Sequence, residues 1–453
     1  MKLYTIFFCL LVFCLTGTAC KKYLDAKSNL KLVTPQSLKD LQGLLDDAEV
    51  MNFKVTPGLM ESEADDYFML PASYDALATY QQDQYRWILY DVKFTNDWSA
   101  CYKAIYNANL SMDLLAKIER NSSNASAWDN IRGSALFFRA YYLLMLSTQY
   151  AKVYNENTAS SDLGVVIRMN SDFNVPSVRA SVEESYQRVL TDARESIGLL
   201  PDYAQNAMRP SKGAAYALLA RASLYMGKYA EALKYAEEAL KLNSTLMDFN
   251  GDANISSLAA ALPFKRFNSE TVFYTEMGST TIIHSPTRSR IDTVLTAAYQ
   301  SGDLRKTGYY TTISGYQQFK GNYSGSSTVY FTGLATDELY LIRAESNAYL
   351  GNLDAALSDV NLLLKKRWDK TKAFVSLAGS NKQEVLGKVR LERRKELLMR
   401  GMRWIDIKRY NREGENIILR RNIKGTITSL LPNSPFYALP LPADIVAQGI
   451  AQN

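Results

Sequence analysis

Residues 211–242 read SKGAAYALLARASLYMGKYAEALKYAEEALKL, and residues 338–364 read ELYLIRAESNAYLGNLDAALSDVNLLL. Each stretch is two runs of helical periodicity joined by a glycine and one further residue, Gly227-Lys228 in the first and Gly351-Asn352 in the second. So short a connection makes the two helices of a pair antiparallel neighbours. The stretches also match position by position: Tyr216 with Tyr340, Ala220 with Ala344, Ala232 with Ala356 and Leu233 with Leu357.

An early aromatic, a small residue where the helices cross, a glycine at the turn and an alanine in the second helix resemble the tetratricopeptide pattern. Such repeats normally stand in tandem, because each buries its apolar face against the next. Here residues 247–333 intervene, rich in Gly, Ser, Thr and Tyr, with strand-like runs at Thr271–Thr275, Thr280–Ile283 and Thr328–Phe331. A second mixed segment, Glu61–Asn96, precedes the first long helical run. Working outward, Thr34-Pro35 leads into Leu38, Leu41, Leu44 and Leu45 at helical spacing. Asp97–Glu119 and Ser126–Tyr150 read as longer helices, the second apolar almost all round at Ala135–Leu146 and hence buried. Ser181 with Glu184 forms a capping box, and the helix it opens ends at Pro201. The expected architecture is mainly α, an interrupted array of helix pairs with loop and short-strand segments between them.

At the N-terminus, Met1-Lys2 precede an apolar run, Leu3–Leu15, and then Thr16-Gly17-Thr18-Ala19-Cys20. The run falls short of the roughly 20 residues that a membrane-crossing helix needs, and it reads as a secretion signal over residues 1–19. Cys20 follows small residues, as an acylated lipoprotein cysteine does, although Gly17 stands where leucine is commonest. A multiply acylated cysteine would anchor the chain to a membrane. Of four cysteines, Cys9 and Cys14 leave with the signal and Cys20 carries lipid, so Cys101 has no intramolecular partner and stability must come from core burial.

The formal charge of +6 is dispersed, which does not suggest nucleic acid. A single histidine, His284, excludes a multi-histidine metal site, and no nucleophile has a visible base. Asp248–Asn254 places oxygen ligands at alternate positions but lacks the glycine and closing glutamate of an EF-hand loop. No metal, cofactor or catalytic residue is therefore expected. Thirty tyrosines crowd the non-helical segments, and the flat face and polar tip of tyrosine suit sugar rings and peptides as well as ordinary cores.

The family resemblance rests on spaced motifs. Trp98, Tyr102, Ile105 and Ala108-Asn109 open it, followed by Phe137–Tyr142, Arg179, Ser181, Tyr186, Asp192 and Leu200-Pro201. Leu341–Glu345, Glu392–Leu397, Gly401–Arg409 and Tyr437–Pro442 close it. Together these resemble the SusD/RagB family of outer-membrane nutrient-binding lipoproteins of the Bacteroidota. Ala151, Tyr154 and Arg400 depart from that pattern. The resemblance implies a SusD-like α superhelix, with an N-terminal region over 20–260 and a C-terminal region over 261–453. It also implies a surface-exposed, lipid-anchored receptor in the outer membrane that binds an oligomeric nutrient, a glycan by expectation, and passes it to a SusC-like TonB-dependent transporter. Ligand is then expected on the mixed segments, with Tyr85, Trp87, Tyr309 and Tyr316 as candidates for stacking.

Glu392, Arg393 and Glu396, with Arg403 and Asp406 beyond, read as an ion-pair network tying the last helix to the repeats, the arginines keeping the carboxylates ionised. Two rival functions stand beside the receptor. One is an exported glycosidase on a helical scaffold, with Glu61, Glu63, Asp65 and Asp66 as its obvious acids; the other is a repeat scaffold that binds only protein.

Overall fold

The computed structural model describes residues 35–92, 94–278 and 282–453. The secretion signal, Cys20 and Thr34 lie outside these. Among the described residues, ten helices of eight residues or more form the frame: α1 (Leu38–Leu45), α2 (Asp97–Leu115), α3 (Ala125–Tyr150), α4 (Val182–Ile197), α5 (Lys212–Met226), α6 (Tyr229–Leu242), α7 (Thr336–Tyr349), α8 (Leu353–Arg367), α9 (Lys382–Glu396) and α10 (Arg403–Arg412). Ten short strands join in five antiparallel pairs: β1 (Tyr67–Met69) with β5 (Ser289–Ile291), β2 (Leu163–Val166) with β3 (Arg179–Ser181), β4 (Thr271–Phe273) with β8 (Leu334–Ala335), β6 (Tyr310–Ile313) with β7 (Tyr316–Phe319), and β9 (Leu419–Ile423) with β10 (Thr426–Leu430). The fold is mainly α, and among the described residues no helix is long and apolar enough to cross a membrane.

Local chemistry sets the helix ends. Ser181 Oγ accepts from the Glu184 N–H while the Glu184 carboxylate accepts from the Ser181 N–H, which closes the capping box at the start of α4. Gly227 and Gly351 take φ of +79° and +91°, left-handed values that glycine adopts without penalty, so α5 turns at once into α6 and α7 into α8. Ala220, Ala232, Ala344 and Ala356 are wholly buried, and their missing side-chain bulk lets the paired backbones close up.

The interruption seen in sequence is absent in space. Helix α6 packs against α7, and the rings of Tyr229 and Tyr349 stack at 3.7 Å across the junction. Arg221 and Glu338 join the two repeats by a buried ion pair at 2.6 Å, and the Tyr340 hydroxyl donates to Ser244 O. The frame thus runs continuously from α2 through α9, each helix on the next, with residues 247–333 looped out of it. Its core is built from Leu, Ala and the rings of α3, and α3 is buried at every position from Gly133 to Tyr150, which covers its apolar stretch.

The looped-out segment packs with residues 53–85 around a second core made mostly of Tyr and Phe. Of the three strand-like runs, Thr271–Thr275 yields β4. Thr328–Phe331 forms only one bridge, Phe331 to Glu276, and the strand falls later, at β8. Gly333 explains the shift: a Cβ there would lie 1.9 Å from Phe273 O, so this glycine lets the incoming chain reach β4. Thr280 and Thr281 lie outside the described residues, and Ile283 is in no strand.

Buried ion pairs bind the second core to the frame. Arg367, at the end of α8, donates to Glu270 and Glu396 at 2.7 and 2.8 Å. Arg305, in the helix Arg305–Tyr309, reaches Glu392 and Glu396 at 2.8 Å each. Arg393 pairs with Asp406, and Arg409 pairs with Glu345 on α7. The charged motif of α9 and α10 therefore does tie the last helix to the repeats. It also anchors the mixed segments, through Arg394 to Asp66 and Arg403 to Asp65. Burial opposes the charge of Glu396, but Arg367 and Arg305 outweigh it and hold that carboxyl below its ordinary value.

Candidate functional site

The two mixed segments meet edge to edge. Tyr67, Phe68 and Met69 of β1 pair with Ile291, Arg290 and Ser289 of β5, and β5 lies against β7. Alternation along a strand sends Tyr67 and Met69 inward and Phe68 outward. Tyr67 is 3% exposed, whereas Phe68 is half-buried and meets Tyr316 edge to face at 5.2 Å. Tyr316 opens the second strand of a hairpin turned at Ser314-Gly315 and is 38% exposed. Phe68 and Tyr316 thus form an aromatic pair with ring area facing water, drawn from segments more than 200 residues apart.

What lies behind the pair is rigid. Tyr67 packs on Tyr85 and on His284, and Tyr85 in turn on Tyr74. Arg421 of β9 lies over the rings of Tyr67, Tyr85 and Trp87 and donates to the carbonyls of Tyr85, Ser62 and Ala64. Cation–π contact and carbonyl bonds together fix the chain that leads into β1.

This arrangement corrects the sequence-based list of stacking residues. Tyr85 and Tyr309 are 1% exposed and Trp87 is 8% exposed. The Tyr85 hydroxyl accepts from the Met69 N–H, the Trp87 indole donates to Glu63 O, and Tyr309 sits among Phe249, Phe264 and Phe319. Their rings build the support, and no face is left for a ligand. Of the four, Tyr316 alone reaches the surface. Phe68 was missed, although the alternation Tyr67-Phe68-Met69 carries a faint strand signal; its exposure follows only once β5 is known to be its partner.

Of the acidic candidates of residues 61–66, Glu61, Glu63 and Asp66 are buried and Asp65 is half-buried. Glu61 and Glu63 are fully buried: Glu61 accepts from the Gly401 N–H and Glu63 from the Tyr90 hydroxyl. Burial pushes the Glu63 carboxyl up to about 8 against the opposing pull of Arg421, and it pushes Glu61 up as well. Asp65 and Asp66 are held by Arg403 and Arg394. His284 is wholly buried, its Nδ1 2.8 Å from Ser62 Oγ, and burial pushes it down to about 3, so it stays neutral. Cys101 is a buried free thiol. Glu270, Asp337 and Glu396 lie close enough together to hold an ion, but Arg367 and Arg400 already reach into that cluster. Asp248 and Asp252 close turns on Asn250 and Asn254.

Further concavities lie on the frame, and two have aromatic or buried ionisable groups in their walls. One, of about 310 Å³, is lined by Trp98, Tyr102, Tyr106, Arg168 and Phe173. Its polar groups are largely committed: Tyr102 donates to Val166 O, and Arg168 holds the carbonyls of Val175 and Asp172. The other, of about 320 Å³, has buried Lys408 in its wall, donating to Thr148 O and Ala151 O at the end of α3.

Fold and site define a helical-repeat protein with a paired aromatic surface carried by its insertions. Residues 22–224 match the family model described as starch-binding, associating with outer membrane, and residues 243–435 match that of the SusD family. The chain belongs to the SusD/RagB family, a family of carbohydrate-binding, outer-membrane-associated proteins of nutrient uptake. No curated protein matches the sequence.

Solved structures show the same fold at low identity. A SusD superfamily protein from Bacteroides thetaiotaomicron is 20% identical, with 92% of this chain and 99% of that chain covered and a TM-score of 0.73. A SusD-like carbohydrate binding protein from Bacteroides vulgatus is 19% identical over 91% and 97%, with a TM-score of 0.67. A SusD superfamily protein from Bacteroides fragilis is 17% identical over 92% and 98%, with a TM-score of 0.72.

Proposed function

We propose that the protein is a surface lipoprotein that captures a glycan on the Phe68–Tyr316 face and passes it to a SusC-like TonB-dependent transporter. The observation that carries this reading is the aromatic pair itself: half-open rings on a packed, largely aromatic support, at the seam of the two insertions. Sugar rings present C–H faces that stack on such rings, and a preformed platform spares the ordering cost of binding. Cys20 would carry the acyl chains, with the following residues as a tether. The protein acts by binding and not by catalysis: a glycosidase needs two accessible carboxylates, whereas those of residues 61–66 are buried or held by arginine.

Incubation of the purified protein with a glycan panel tests the central part. Saturable binding without product release supports it, and release at catalytic rates overturns it. Co-purification of a large outer-membrane barrel, and loss of acyl labelling in Cys20→Ala, test the partner and the anchor separately.

A further inference from the structure

Buried arginines in this protein keep some donors unpaired, as Arg221, Arg393 and Arg421 do, but Arg290 at the aromatic face is the most sparsely held among the described ones. Arg221, Arg305, Arg367 and Arg409 each face at least one carboxylate. Arg421 has no carboxylate but donates to three carbonyls. Arg290 is 7% exposed and makes one hydrogen bond, from Nη1 to the carbonyl of its neighbour Ser289. Its Nε is sealed from water without a partner, and no carboxylate among the described residues lies within ion-pair distance. Asp292, two residues on, is committed to Arg394 and to the N–H groups of Val294 and Leu295. A largely buried guanidinium with one hydrogen bond and no counter-charge is costly, and an incoming anion at its outer nitrogens would relieve that cost.

Its position says which anion. Arg290 is the cross-strand partner of Phe68, the residue on which Tyr316 packs. Cross-strand partners share a face at about 5 Å. Arg288 lies two residues back, in the turn that leads into β5; it is half-buried, and no acceptor among the described residues holds its guanidinium. One guanidinium directly across the strand pair from Phe68, and one in the adjoining turn, therefore stand without a counter-charge.

We infer that the glycan taken by this face is acidic, its carboxylate or sulfate bound by Arg290 and Arg288 while a sugar ring stacks on Tyr316 and Phe68. The inference rests on the glycan-binding reading of the face. Guanidinium groups pair with planar carboxylates and with sulfates through two parallel N–H bonds, stronger than bonds to neutral hydroxyls. A ligand that meets both requirements must carry charge and an apolar ring face on the same residue or on adjacent ones.

Calorimetric titration of the full mature chain with three probes tests it: an oligogalacturonate for carboxylate, a carrageenan oligosaccharide for sulfate, and maltohexaose as the neutral control. At least one acidic probe should bind more tightly than maltohexaose and weaken as NaCl rises from about 50 to about 300 mM. Arg290→Gln and, separately, Arg288→Gln should each cost that probe about tenfold or more, with Arg290→Lys restoring only part, and should leave maltohexaose unchanged. Which acidic probe responds tells carboxylate from sulfate. Melting temperatures of the variants separate loss of contact from loss of fold, and Arg288, being half exposed, gives a usable result even if Arg290→Gln unfolds. Equal binding of all three probes, lost in Tyr316→Ala but indifferent to both arginines, overturns the inference and leaves the receptor reading standing. Binding of no probe, or binding indifferent to Tyr316→Ala, overturns both.

Discussion

The frame and the insertions are two proteins in their physics. Helices α2 to α9 pack through small residues and leucine with 3.6-residue periodicity, so each helix is specified largely by its own sequence and its neighbours. The insertions hold hardly any helix longer than a turn or two, and their core is a set of tyrosine and phenylalanine rings brought together from residues 53–85 and 247–335. They keep their shape because α9 and α10 grip them with arginine–carboxylate pairs. A regular frame thus supplies rigidity, and a long-range lattice converts it into a fixed surface for chemistry the frame does not carry.

The largest test of that division is to cut the lattice. Glu396→Ala removes the shared partner of Arg305 and Arg367 and leaves two buried guanidinium groups short of an acceptor. Denaturant unfolding should show a loss of about 3–5 kcal/mol. The exposed frame pair Arg194–Glu231, cut by Glu231→Ala, should cost under about 1 kcal/mol. Equal effects would erase the distinction between the two regions.

Next come the rings that look like ligand contacts in sequence. Tyr309→Ala should cost about 3–5 kcal/mol of stability, as deletion of a buried aromatic does, and Tyr316→Ala well under about 1 kcal/mol. A mild Tyr309→Ala variant would show the insertion core to be looser than its packing implies.

A subtler effect concerns pH. Glu63 has its folded value raised to about 8 from an ordinary 4.5, so the folded state favours the protonated form. Its contribution is fully present below about 4.5 and is lost as pH rises through 8, because folding must then bury a charge or hold a proton. Glu63→Gln should flatten the fall in melting temperature across that window and raise it at the alkaline end. A wild-type curve that rises over the same range and is unaltered by the substitution would contradict this.

These contrasts also explain what the sequence disclosed. Gly227-Lys228 and Gly351-Asn352 mark their turns unaided, and α6 is bounded in the structure as its periodicity bounds it, because helix pairs are local. The adjacency of α6 and α7 was hidden, since it depends on a loop that closes over residues 247–333. The ionic motif of α9 and α10 was legible as a network, but its reach to Asp65, Asp66 and Glu270 was not, for those partners announce nothing in their own segments. The proposed ligand face was the least legible. Phe68 is exposed only because Tyr67 and Met69 turn inward against β5, and Tyr85 and Tyr309 are buried only because the two insertions meet. Composition marked the segments, while the choice among thirty tyrosines required the pairing.

Hydrogen exchange of the mature chain, free and saturated with a bound oligosaccharide, puts the central claim most directly. The account predicts that new protection is confined to peptides spanning β1, β5 and the β6–β7 hairpin, with α2 to α8 unchanged. Protection centred on the frame, for example over α2 and residues 166–178, with none at β1 or β7, would contradict it.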